Sequence, residues 1–219
     1  MTKRRGWAVS AVLAALTFAS VLGVMPAARA ASGCTGNLYN KTFPNGVTVA
    51  PGAACSLTDS TVNGNIVASA GSLISLFRTH VTGSISGDGA AVQILYDQAP
   101  VVIDGNVSVQ NARGYGSDAQ GYYTQVAICG AQIGGNLTVT GAAGKTSIYV
   151  GVVLCSQGNT VGGNLLFQNN HPVTSASGAN AVGNNTVGNA LVCSGNTPAP
   201  TSLSYANSAR FKSGQCASL

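Results

Sequence analysis

Val62-Asn63-Gly64-Asn65-Ile66 decides the fold, because the chain keeps returning to it. The phrase recurs as Val81-Thr82-Gly83-Ser84-Ile85, Ile103-Asp104-Gly105-Asn106-Val107, Ile133-Gly134-Gly135-Asn136-Leu137 and Val161-Gly162-Gly163-Asn164-Leu165. It decays to Val187-Gly188-Asn189-Ala190-Leu191. Glycines 64, 83, 105, 135 and 163 stand 19, 22, 30 and 28 residues apart. A period in this range marks a solenoid, in which one unit cannot bury its apolar face without a neighbour.

The two aliphatics of each phrase lie four residues apart, so on extended backbone they share a face. The same parity runs on to Ala68, Gly87, Val109, Val139, Phe167 and Cys193. Such columns suit a stacked interior, and the Ser, Thr, Asn and Gln between them suit the solvent side. The glycine, also at inward parity, implies a bend in the strand or an interior too crowded for a side chain. The adjoining asparagine fits a stacked turn, where amides bond from coil to coil and Asn accepts left-handed backbone. Further strands are expected over 72–77, 91–96, 124–128 and 146–154. Helical periodicity is missing from the chain beyond its first 30 residues, and glutamate is wholly lacking. The sequence therefore reads as all-β: a single-domain parallel β-helix. A right-handed winding is expected, because left-handed forms keep a six-residue rhythm and these coils vary in length.

Residues 1–30 read as a secretory signal peptide, with Lys3, Arg4 and Arg5, an apolar run from Ala8 to Val24, and the cleavage site Ala28-Arg29-Ala30. The β-helix then occupies 31–219, with an N-terminal cap over 31–60, repeat coils over 61–193 and a C-terminal cap over 194–219. The formal charge of +5 falls to +1 without Lys3, Arg4, Arg5 and Arg29, six cations then facing five aspartates. No basic patch is left for nucleic acid, and no membrane span is expected after cleavage.

All six cysteines follow the signal, and an even count in an exported chain implies disulfides, with fifteen pairings formally open. Their places in the repeat favour three. Cys34–Cys55 staples the N-terminal cap, Cys129–Cys155 joins adjacent coils, and Cys193–Cys216 fastens the C-terminal cap. No C-x-x-C is present, so no metal or other cofactor is expected.

The chain resembles a group of secreted repeat proteins of Gram-positive filamentous bacteria. The resemblance rests on the T-V-x-G-N-[LIV] phrases Thr61–Ile66 and Thr160–Leu165, on Cys193-Ser194-Gly195-Asn196-Thr197-Pro198, and on Gly214-Gln215-Cys216. It spans 31–219 and implies the fold without implying an activity. A more distant resemblance is to pectate-lyase-like β-helices, which include polysaccharide lyases, hydrolases and adhesins.

Chemistry of the lyase or hydrolase kind needs converging carboxylates. Asp88, Asp97, Asp104 and Asp118 fall within residues 88–118, near Arg78, His80 and Arg113. Asp97, Asp104, Arg113 and His80 are accordingly the catalytic candidates, against a reading of these residues as turn formers with solvated partners. Tyr115, Tyr122 and Tyr123, with Arg113, form a candidate glycan-stacking platform. The favoured expectation is a secreted, non-enzymatic structural, surface or wall-associated protein that binds polysaccharide or cell-wall glycan. The alternative is a pectate-lyase-like lyase or hydrolase acting from the Asp88–Asp118 face. End-to-end self-assembly is a third reading, opposed by the stapled caps.

Overall fold

Each Gly-Asn phrase turns a corner between two strands, and the corners stack. The computed structural model describes residues 30–115, 125–145, 147–152, 155–173 and 179–219. Among them there are 22 strands and no helix. They fall into a 15-stranded and a 7-stranded sheet. All the pairings between named strands are parallel, as a β-helix requires.

A coil contributes to three ladders. The leading face carries the strands that enter the corner, such as Thr61–Val62, His80–Val81 and Val101–Ile103. The trailing face carries those that leave it, such as Ile66–Ala68, Ile85–Asp88 and Val107–Gln110. Both belong to the larger sheet, where the long strand Thr186–Ser194 joins them. The back face is the smaller sheet, running from Gly36–Tyr39 to Asn180–Val182.

Register converts the repeat into a core. On the leading face Val62, Val81, Ile103, Ile133, Val161 and Val187 stack one on another. On the trailing face the column is Val47, Ile66, Ile85, Val107, Leu137, Leu165 and Leu191. Leu57, Leu76, Ile94, Ile128, Val150 and Val182 do the same from the back face. All three columns are buried in one continuous apolar cluster. At roughly 1.5–3 kcal/mol for each fully buried aliphatic, this repetition is the main stabilising term.

The corner glycines are required by close approach, and the crowding is not in the interior. A Cβ on Gly83 would lie 2.4 Å from Asn65 Oδ1, on Gly105 2.4 Å from Ser84 Oγ, and on Gly135 2.4 Å from Asn106 Oδ1. Each coil's polar side chain thus occupies the space above which the next coil needs a glycine. That side chain also accepts the next backbone N–H: Ser84 N donates to Asn65 Oδ1 at 2.8 Å and Asn106 N to Ser84 Oγ at 3.0 Å. Asn136 N and Nδ2 donate to Asn106 Oδ1, and Asn164 N and Nδ2 to Asn136 Oδ1, at 2.8–3.3 Å. The expected amide ladder is present, but its asparagines are not left-handed. Positive φ falls instead on Asn40, Asn111, Asn169 and Asn184.

The repeat also extends further than its phrase suggests. Phe43-Pro44-Asn45-Gly46-Val47 turns one more corner, with Phe43 over Val62 and Val47 over Ile66. Its Asn and Gly are transposed, which hides it from a search on the phrase. The segment expected to cap the N-terminal end carries strands Ser32–Gly33 to Ala54–Thr58 in register with the coils above. At the other end Ser208–Gly214 lies parallel on Thr186–Ser194. The disulfides are Cys34–Cys55, Cys129–Cys155 and Cys193–Cys216, with Cα separations of 5.6, 5.9 and 5.2 Å. These are the three expected pairings, each between neighbouring coils.

Two further polar ladders lie inside the other corners. Asn159, Asn185 and Asn207 form one: Asn159 Nδ2 donates to Asn185 Oδ1 at 2.9 Å and Asn185 Nδ2 to Asn207 Oδ1 at 2.8 Å. Asn170, Asn196 and Gln215 form the other, through 3.0 and 2.9 Å bonds. The five asparagines are buried, with their remaining amide protons on carbonyls such as Ile128 O, Val150 O and Val139 O. Between the trailing and back faces, Gly89, Asn111, Gly141, Asn169 and Gly195 succeed one another from coil to coil, all left-handed. Here glycine and asparagine alternate, because a Cβ on Gly141 would meet Asn111 Oδ1 at 2.7 Å and one on Gly195 would meet Asn169 Oδ1 at 2.1 Å.

Candidate functional site

The charged residues sit where the coils turn, and stacking decides their partners. Asp59 and Arg78 occupy equivalent left-handed positions after Thr58 and Phe77, which pair in register. Arg78 therefore reaches across to Asp59 in a two-pronged bond, Nε to Oδ1 at 2.7 Å and Nη2 to Oδ2 at 2.8 Å. Its Nη1 engages the Asp97 carboxylate on the opposite side. One guanidinium thus links three successive coils. The hydrogen bonds from Arg78 hold the Asp59 carboxyl below the usual carboxylate range, and Asp59 raises Arg78 further above its ordinary value.

His80 stands on the leading face opposite Val102, and its Nε2 lies 3.1 Å from both Asp104 carboxylate oxygens. Asp88 accepts a bond from Asn111 Nδ2 at 2.9 Å. Among the described residues, no hydrogen bond or ion pair joins Asp97, Asp104 and Arg113. Asp97 belongs to Arg78 and Asp104 to His80. Arg113 is exposed and Tyr115 half-buried. Tyr122, Tyr123 and Asp118 lie outside the described residues. Asp59, the acid farthest in sequence from the 88–118 group, joins the network unannounced. The signal that could have found it is its 19-residue offset from Arg78, one coil length. No group of three or more His, Cys, Asp or Glu able to hold a metal occurs among the described residues.

The leading face also carries an open groove of about 490 Å³, lined by Val102, Asp104, Gln132, Gly134, Thr160 and Gly162, with Ile103 and Ile133 beneath. Val102, Gln132 and Thr160 follow one another in register. Gly134 and Gly162 leave the floor bare, since a Cβ on either would come within 2.4 Å of a carbonyl of the coil below. The groove offers a side-chain amide at Gln132 and a hydroxyl at Thr160 on successive coils, at the strand spacing of about 4.8 Å. Among the described residues this surface holds one carboxylate, Asp104, beside one imidazole, His80; an acid–base pair of carboxylates needs two.

No protein-family profile, curated protein or solved structure matches the chain.

Proposed function

We propose that the protein is a secreted, non-enzymatic structural or surface protein, a right-handed β-helix stapled by a disulfide at each end, that lies against a polysaccharide of the cell wall. The observation that carries this reading is the use made of the acids. Each of the four described aspartates links one coil to the next: Asp59 and Asp97 through Arg78, Asp104 through His80, and Asp88 through Asn111. The disulfides, and the lack of any described helix long and apolar enough to cross a membrane, are compatible with export. The leading-face groove is the proposed seat of the glycan, with Gln132 and Thr160 bonding to sugar hydroxyls. The tyrosines of the 111–124 segment are the competing seat.

The test is co-sedimentation with insoluble plant, animal and microbial polysaccharides, run beside assays for unsaturated products and new reducing ends. Binding without turnover is expected. Gln132→Ala with Thr160→Ala should weaken binding about tenfold, the scale of one or two hydrogen bonds. If Tyr122→Ala and Tyr123→Ala act instead, each at about 0.5–1.5 kcal/mol, the seat is the tyrosine segment. The enzyme reading keeps one specific support, the Asp104–His80 pair at the groove's edge. Turnover that vanishes in Asp104→Asn would establish it in place of ours.

A further inference from the structure

A stack of parallel strands has an inherent hazard, because its last coil presents the same surface that its own interior coils have just used to grow. The last strand, Ser208–Gly214, is exposed at six of its seven residues. It pairs with Thr186–Ser194 on one side, and no strand among the described residues pairs with the other. Phe211 on it is 68% exposed. The opposite end offers a parallel edge: among the described residues, Ser32–Gly33 and Thr42–Phe43 are each paired on one side only, in the same direction. Leu38 and Phe43 are only partly buried there. Strand direction and the back and leading columns, which begin at Leu38 and Phe43, permit one copy to continue another, which would give an open head-to-tail filament; the trailing column begins at Ser32.

One residue breaks the match. The trailing-face column Val47, Ile66, Ile85, Val107, Leu137, Leu165 and Leu191 is aliphatic and buried throughout. The residue stacked on Leu191 is Lys212. Its Nζ donates to Leu219 O at 2.6 Å and to Asn207 O at 3.4 Å, so the ammonium is held across the end of the column by the chain's last residues. Cys216, bonded to Cys193, fixes those residues in place. A further copy laid on this end would bring Ser32, the first residue of its own trailing-face column, over the ammonium and strip the charge of water.

We propose that Lys212 is a stop: it occupies the aliphatic column at the end of the stack and so prevents a second copy of the chain from stacking on the open edge of Ser208–Gly214.

The experiment is sedimentation velocity of the full chain over a concentration series, for wild type, Lys212→Leu, Lys212→Met and Lys212→Arg, with hydrogen exchange read on residues 208–214. Wild type and Lys212→Arg should remain a single small species. Lys212→Leu and Lys212→Met should form larger, concentration-dependent species, with at least tenfold slower exchange at 208–214 amides. Met keeps the side chain's length, and it is the variant read if Leu fails to fold by circular dichroism. Folded Leu or Met variants that stay small overturn the proposal, as does assembly of the wild type. Larger species with unprotected 208–214 amides also overturn it, since they form through another surface.

Discussion

Asn185 is enclosed between Asn159 and Asn207, and its amide protons reach Val150 O, Gly183 O and Asn207 Oδ1. Removing that amide strands buried partners on two coils, so Asn185→Ala should lower stability by about 3 kcal/mol. Asn136 makes similar bonds at the exposed corner, where water can replace it. Asn136→Ala should therefore cost only about 1 kcal/mol, and urea melts of the two variants will check the order. Leu137→Asp puts an unpaired carboxylate between Val107 and Leu165 and should leave no cooperative melt at all. Asp59 adds a pH dependence with a definite sign. Its folded pKa is depressed, so the stability it contributes is present above the ordinary carboxylate pKa of about 4 and is lost as pH falls through the depressed folded value. Arg78→Met should flatten that acid limb of the melting temperature and leave neutral-pH refolding intact.

At the scale of a coil, the sequence showed what repeats and concealed what does not. The leading and trailing columns could be read from parity alone, because Val62 and Ile66 and their successors recur at fixed spacing. The three disulfides were legible for the same reason, since each cysteine has a place in the coil. The buried ladders of Asn159–Asn185–Asn207 and Asn170–Asn196–Gln215 were not, because those residues stand outside the phrase and at offsets that follow the changing coil length. The charge pairs were missed similarly. Proximity in sequence suggested Asp97 with Asp104, whereas stacking gives Arg78 to Asp97 and His80 to Asp104. Loops of 21 to 26 residues closed by the bridges predict a loss of about 3 kcal/mol for each pair changed to Ser, on the chain-entropy account. Denaturation of Cys129→Ser/Cys155→Ser under non-reducing conditions measures it.

Over the whole molecule, stability is a sum of neighbour contacts along one axis, and the two ends differ in kind. The N-terminal end presents half-buried Leu38 and Phe43, and the C-terminal end presents Lys212. The alternation of Gly89, Asn111, Gly141, Asn169 and Gly195 has a consequence for how such a chain lengthens over generations. Copying the single coil that begins at Asn111 would set one asparagine directly over another, where a side chain already fills the space a glycine must leave. Copying two adjacent coils preserves the order. Gene duplications in this part of the molecule should therefore be tolerated when they copy two adjacent coils or one that begins at a glycine, and rejected when they copy one that begins at Asn111 or Asn169. Tandem variants carrying one or two extra copies, compared for yield of folded protein, would expose that arithmetic of inheritance.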